Sequence, residues 1–414
     1  MANLDIVLFT VDEKNICRVG LPPKDAEDDF HARAVNIGKF ENASKIAYSP
    51  DGKIYAVRGE QLYEGLLPSS VGVDWFSEAQ LVGNSGWDQF KLIFFHPSDR
   101  LYAVTHDGHL YKGIPPTIED ESWINSQAKR LNGERWNEFT TLFYDPMGML
   151  YGATPEKLVK GIYPNSTTTN WVENAEEVGN GPCWGLLSHF MAFTPDDHMW
   201  CVNKSTGEML TGPPPTNSAE NWEDNAQKLG SGFQVYKHLL LMKDKTINTI
   251  QNLTFLPGIA KTSEEQVVKV KEQNYNNKEG SASLSCTFEF ETSFTENYTF
   301  SKEHGLQAGA GADPTFTIGM PTIAEDGLMV FLNKKSQQKW NIMQNNTIQF
   351  PFSLSTNFDL PAGTAVTLKA TLQKATMKVP YRAAITTMFG NKVAISGMLT
   401  GVGYYNLQIQ QDEV

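Results

Sequence analysis

One order of signals returns five times within the first 240 residues of this 414-residue chain, and nothing else in the sequence constrains the fold as strongly. An aromatic opens each unit at Phe30, Trp75, Trp123, Trp171 and Trp222, and an alanine follows at Ala34, Ala79, Ala128, Ala175 and Ala226. A turn position comes next, at Gly38, Gly83, Asn132, Gly179 and Gly230. Apolar strands ending in Pro-containing turns follow (IAYSPDG, LIFFHPSD, LFYDPMG, FMAFTPDD), then IYAV, LYAV, LYGA or MWCV, then LYEG, LYKG, LVKG or MLTG. Successive openers stand 45 to 51 residues apart. Units of that length, with about four short strands punctuated by Gly and Pro and no helical periodicity, fit propeller blades. The fifth unit ends in HLLLMKD with no copy of LYAV after it, whereas Leu8, Phe9, Thr10 and Val11 form an orphan copy near the N-terminus. That orphan is expected to complete the last blade and remove open sheet edges.

The units resemble the blades of tachylectin-type five-bladed β-propeller lectins, whose repeat has the form NWxxxAxxIGxGGWxxFxxLFFxPxGxLYAV. Unit two carries most of it, with Trp75, Ala79, Gly83, Gly86, Trp87, Phe90, Phe94, Phe95, Pro97 and LYAV. The resemblance covers residues 1–244 and implies binding of N-acetylated hexosamines in shallow pockets between neighbouring blades. Carried onto this chain, it points to Asn84, Trp87 and Asp88, to Trp136 and Asn137, and to Asn180 and Trp184. An indole face stacks on a pyranose while amides and carboxylates take its directional bonds. The alternative for each of these tryptophans is packing between blades. Unit one is two residues shorter between Gly38 and Pro50 than unit two between Gly83 and Pro97, and it lacks the GGW equivalent. Unit five has Phe233 where Trp is expected, and unit four inserts around GPCWGLLSHF. Fewer than five working sites are therefore expected, their weak affinities multiplied by repetition.

The repeat stops near residue 246, which places a second domain at 245–414. Ala282 to Phe300 alternates, with Ala282, Leu284, Cys286, Phe288, Phe290, Phe294, Tyr298 and Phe300 on one parity and Thr292 and Glu296 as its only polar members. A strand of that length belongs to an elongated sheet. The remainder resembles the pore-forming module of the aerolysin family, natterin-like members included. Its landmarks are GMPTIAE (319–325), LPAGTAVTLKATLQKATMKVPY (360–381) and GMLTGVGYYNLQI (397–409), and the resemblance spans about 262–414. It implies a soluble protein that forms a homo-oligomer on a membrane and inserts one β-hairpin per copy into a shared barrel, which leaves no backbone group unpaired in lipid. By position the hairpin runs over 304–333, with its tip at Met320, Pro321, Thr322 and Ile323. Leu306, Ala308, Ala310, Phe316 and Ile318 share one face of its first limb. Asp313 and Pro314 interrupt that limb and the second limb alternates poorly. A competing hairpin pairs Phe288–Phe300 with Leu306–Ile318 through SKEHG.

The formal charge of −13 lies wholly in the first part: residues 1–244 hold 33 acidic against 20 basic side chains, and 245–414 hold 14 of each. That balance repels nucleic acid and anionic lipid. The expected partners are cell-surface glycans of the GlcNAc or GalNAc type, other copies of the chain, and membrane lipid after oligomerisation. Cys17, Cys183, Cys201 and Cys286 show no metal spacing, so buried thiols, no metal and no cofactor are expected. The eight histidines form no HExxH pattern, Asp-boxes are absent, and no catalytic constellation emerges. Only His304, beside the hairpin, is placed to sense pH. The N-terminus lacks signal-peptide features, and of the sequons at Asn42, Asn165, Asn203, Asn252, Asn297 and Asn345, the one at Asn297 would put a glycan inside the long strand. A soluble protein released unconventionally is expected. The reading is an all-β chain, a five-bladed β-propeller followed by an elongated antiparallel β-sheet aerolysin-like domain, acting as a pore-forming lectin. Its rivals are a non-lytic multivalent lectin whose C-terminal domain serves oligomerisation, and a protein-binding propeller.

Overall fold

No helix among the described residues exceeds five residues; strands and turns carry both units. The computed structural model describes residues 5–413 apart from 69, 118, 120, 121, 132, 165–169, 219, 220, 302–304, 310, 325, 326 and 328, and omits the side chains of 264, 335 and 336. Asn132, Asn165, His304 and Ala310 therefore lie outside the described residues. The chain divides into two units, Met1–Thr246 and Ile247–Val414.

The first unit holds five four-stranded antiparallel sheets. Their strands are β1 (Ile6–Asp12), β2 (Ile16–Gly20) and β3 (Val35–Lys39); β4 (Lys45–Tyr48), β5 (Ile54–Arg58), β6 (Gln61–Gly65) and β7 (Gln80–Gly83); β8 (Phe90–His96), β9 (Arg100–Thr105), β10 (Leu110–Gly113) and β11 (Ala128–Arg130); β12 (Thr141–Tyr144), β13 (Met149–Ala153), β14 (Lys157–Ile162) and β15 (Glu176–Asn180); and β16 (Phe190–Phe193), β17 (Met199–Val202), β18 (Met209–Gly212), β19 (Gln227–Gly230) and β20 (Tyr236–Lys243). The N-terminal copy acts as expected. β1 pairs with β2 on one side and with β20 on the other, Phe9 standing opposite Leu240, so the fifth sheet runs β20-β1-β2-β3. The first strands of the sheets touch in turn: β4 meets β8, β8 meets β12, β12 meets β16, β16 meets β20, and β20 returns to β4. Each second strand lies between neighbouring sheets. Ile54–Val57, Leu101–Val104 and Met199–Val202 are consequently buried on both faces, which explains why the sequence shows continuous apolar runs there rather than alternation.

The second unit is built on a seven-stranded sheet. Its strands are β21 (Thr246–Phe255), β22 (Lys261–Asn276), β23 (Leu284–Phe300), β24 (Gln307–Ala308), β27 (Asn346–Leu360), β28 (Ala365–Thr387) and β29 (Lys392–Glu413), while β25 (Thr315–Ile323) and β26 (Val330–Asn341) form a separate hairpin. β28 is 23 residues long and carries β21 and β22 along one edge and β29 along the other. The LPAG stretch supplies the β27–β28 turn, with Gly363 at φ 76°. The main core of this unit includes Tyr298, Phe300, Trp340, Met377, Tyr381 and Leu399, with Met320, Ile323 and Val330 of the hairpin packed into it.

Candidate functional site

The junctions between successive sheets repeat one construction. Each opening aromatic starts a single helical turn, and the ring that follows the preceding sheet packs against it: Phe40 on Trp75 (centroids 4.8 Å apart), Trp87 on Trp123 (5.4 Å), Trp136 on Trp171 (5.1 Å), Trp184 on Trp222 (6.2 Å) and Phe233 on Phe30 (5.7 Å). A glycine makes room for the ring. A Cβ at Gly83 would fall 2.0 Å from Trp87 Nε1, and one at Gly179 would fall 2.3 Å from Trp184. The backbone is pinned as well, since Phe40, Trp87, Trp136 and Phe233 donate their N–H to carbonyls of Asn15, Glu60, Gly108 and Gly207. Phe40 is the unit-one counterpart that the sequence alone does not reveal, hidden by the shortened turn.

These contacts correct the expected role of the tryptophans. Trp87, Trp136 and Trp184 are 1 %, 0 % and 1 % exposed, so each indole face is already covered by a neighbouring ring and offers no platform to a sugar. Asn137 is likewise committed to the fold. Its Nδ2 donates to the His106 carbonyl (2.9 Å), and its own carbonyl accepts from Lys91 Nζ (2.6 Å). Burial holds the Lys91 amine below its ordinary pKa. Asp88 is exposed and attracts the partly buried Lys45 amine, offsetting some of the downward shift that burial imposes on it. Asn84 is half-buried, and Asn180 is exposed at the end of β15.

Beside the aromatic pairs open two equivalent clefts. One, a small open cleft of about 70 Å³, lies between Gly86, Gln89, Ser122 and Ile124, against Trp87 and Trp123. The next, an open cleft of about 290 Å³, lies between Gly133, Glu134, Arg135, Asn170, Val172 and Glu173. Asn170 lines the second of these, and its Oδ1 and the nearby Trp136 Nε1 are buried with no hydrogen-bond partner among the described residues. Both border the space at Gly133, where a Cβ would lie 3.1 Å from the donor and 3.0 Å from the acceptor. At the fifth junction His31 occupies the corresponding place, bonded to Tyr236 Oη (2.6 Å) and to the Ser231 carbonyl (3.2 Å). At the first, Phe76 is buried there beneath the Arg58 guanidinium, 4.3 Å from its ring centroid. Ser122 and Asn170 were missed in the sequence, although the repeat form itself begins Asn-Trp. The residue before each opener is Asp29, Asp74, Ser122, Asn170 or Asn221, which reads as a helix N-cap. Asp29 and Asp74 do cap, accepting from Ala32 N and Phe76 N; the Asn170 side chain does not.

The proposed membrane segment is rearranged relative to expectation. Met320, Pro321, Thr322 and Ile323 are not a tip: they lie in β25 opposite Asn333, Leu332, Phe331 and Val330, and the turn falls between Ala324 and Met329, whose carbonyl accepts from Ala324 N (2.8 Å). Leu306 is buried in the core, Ala308 belongs to the two-residue β24, and Phe316 and Ile318 are half-buried in β25. The first limb is therefore not one strand. The competing hairpin is not formed either, since β23 pairs with β27 and β29. Among the described residues no cluster of three or more His, Cys, Asp or Glu side chains has metal-binding geometry, and no helix is long and apolar enough to cross a membrane.

The chain is similar to a solved structure described as "The de novo evolutionary emergence of a symmetrical protein is shaped by folding constraints" (30 % identity, 57 % of this chain and 98 % of that chain, TM-score 0.51). It is also similar to a lamprey immune protein (15 % identity, 76 % and 87 % covered, TM-score 0.34) and to an aerolysin-like protein of Bombina maxima (9 % identity, 40 % and 99 % covered, TM-score 0.28). The family model described as Tachylectin matches residues 10–238, more than half of the sequence and nearly all of the repeated unit. The chain belongs to the Tachylectin family.

Proposed function

We propose that this chain is a pore-forming lectin. In this reading the first unit is a five-bladed propeller that holds N-acetylhexosamine-type glycans in the clefts between blades. The observation that carries it is the unpartnered pair at the third junction. Trp136 Nε1 offers a donor and Asn170 Oδ1 an acceptor around the same space, and an acetamide group has the complementary C=O and N–H. Leaving both groups buried and unbonded is unfavourable, so a ligand that satisfies them gains on both.

The second unit is read as an aerolysin-like module that oligomerises and inserts the β25–β26 hairpin. Two features support this. The hairpin strands, 9 and 12 residues long, reach the 9–11 residues a tilted spanning strand needs. Among the described residues they pair only with each other, so the hairpin leaves the sheet by breaking side-chain packing rather than ladder hydrogen bonds. The test is vesicles bearing a terminal N-acetylglucosamine glycolipid and loaded with dye. Glycan-dependent attachment, competed by free N-acetylglucosamine and followed by release, is expected. Attachment without release would replace the pore reading by a non-lytic lectin, and no attachment to any N-acetylhexosamine glycan would remove the lectin reading.

A further inference from the structure

β23 pairs with β29 only at Tyr298, Thr299 and Phe300, opposite Gly401, Thr400 and Leu399. Beyond that point the strands part, and a side chain fills the gap. Glu296 is 2 % exposed; its Oε1 accepts the Tyr404 backbone N–H (3.1 Å) where a ladder carbonyl would otherwise stand, and its Oε2 accepts from Tyr298 Oη. This residue is the one charged member of the apolar parity of the long strand.

The groups that act on Glu296 directly are the Tyr298 hydroxyl and the Tyr404 backbone N–H. Further along the neighbouring strands stand Glu289 and Glu291 on β23, Lys374, Lys378, Tyr381 and Arg382 on β28, Tyr404, Tyr405 and Lys392 on β29, and Lys334 and Lys339 on β26. Lys374 Nζ sits 6.0 Å from the Tyr404 ring centroid, Tyr405 interacts with Glu265 of β22, and β27 places Ile348 opposite Glu296. Among the described residues no cation pairs with the carboxyl. The hairpin covers both flanks of the junction. Trp340 of β26 packs edge-on against Tyr298 at 5.2 Å, and Ile323 of β25 lies so close over Gly403 that a Cβ there would be 2.7 Å from its Cδ1.

We infer that Glu296 is a proton-controlled latch: in its neutral form it holds the β25–β26 hairpin docked, and its ionisation favours release. The inference rests on the reading of that hairpin as the released element. A carboxylate without a cation is poorly tolerated in an apolar core, whereas a neutral carboxyl is accommodated, and undocking admits water to it. Burial raises the pKa of Glu296 from an ordinary 4.5 to about 7, against the opposing pull of the Tyr298 and Tyr404 bonds. The docked state thus binds the proton more tightly than the released state. Its contribution to docking is complete below the ordinary pKa, is lost as pH rises, and stops changing once the docked carboxyl ionises near 7. Acid holds the hairpin and neutral pH frees it.

The test is hydrogen exchange of the β25–β26 amides in the full chain from pH 5 to 8, corrected for intrinsic exchange rates. Wild-type protection should fall by up to about tenfold per pH unit below 7 and level off above it. Glu296→Gln should give a flat profile at the protected level. Tyr298→Phe keeps the ring, removes a donor to the ionised form, and should move the plateau to higher pH. Equal pH profiles in wild type and both variants would overturn the latch. Wild-type protection that changes as described in a chain that never releases vesicle dye would sink the insertion reading and leave the latch standing.

Discussion

Asn170 and Trp87 show how one repeat gives neighbouring side chains opposite duties. Trp87 is enclosed by Phe90 and Trp123, with centroids 5.3 and 5.4 Å away. Trp87→Ala should therefore destabilise the first unit by about 3–5 kcal/mol, read as a fall in its unfolding midpoint, because it empties a packed junction. Among the described residues Asn170 makes no capping bond and its Oδ1 has no partner, so Asn170→Ala removes nothing of comparable value to the fold. It should leave the melting temperature nearly unchanged while weakening N-acetylglucosamine binding about tenfold, or about 1.4 kcal/mol, as measured by titration calorimetry. A large loss of stability with unaltered sugar affinity would place Asn170 among the packing residues. The sequence exposes the aromatic spacing but not which partner covers which ring. Trp87, Trp136 and Trp184 look like sugar platforms only until Trp123, Trp171 and Trp222 are seen lying on them.

Elements were legible where a periodic pattern or a turn residue specified them. The strict parity of residues 284–300 marks β23, Gly363 marks the β27–β28 turn, and the orphan Leu8–Val11 marks a strand without a sheet of its own. The hairpin tip was not legible, because only position in the resemblance sets it at residues 320–323 and no local turn signal fixes it. Pro321 is tolerated inside β25 because both strands of a two-stranded sheet are edges, where proline is accommodated. The docked position of this hairpin makes a direct prediction. A Cβ at Gly403 would lie 3.8 Å from Ile323 Cβ, the separation a disulfide requires. The double variant Ile323→Cys, Gly403→Cys should bind glycan-bearing vesicles like wild type yet release no dye until a reductant is added. Release from the oxidised protein would show that β25–β26 is not the inserted segment.

At the scale of the whole repeated unit, the short strand β1 carries more than its seven residues suggest. It separates β20 from β2, and its Val7, Leu8, Phe9 and Val11 are fully buried, with Phe9 edge-on to Phe40 at 5.3 Å. At roughly 2 kcal/mol for each large apolar side chain removed from water, that burial is comparable to the net stability of a domain. Removing the strand also opens two sheet edges at once, and unpaired edges are templates for association. Because the first strands of the sheets touch in a cycle that passes through β20, an opening there is felt by β4 and β16 together. Deleting residues 1–12 should therefore abolish glycan binding and convert the protein to oligomers or aggregates on size-exclusion chromatography. A synthetic peptide spanning Ile6–Asp12, added during refolding, should restore part of the monomer and its binding by re-forming the register that sets Phe9 opposite Leu240 and Val19. A truncated chain that elutes as a monomer with wild-type affinity would show that the remaining contacts of the cycle suffice without the returning strand.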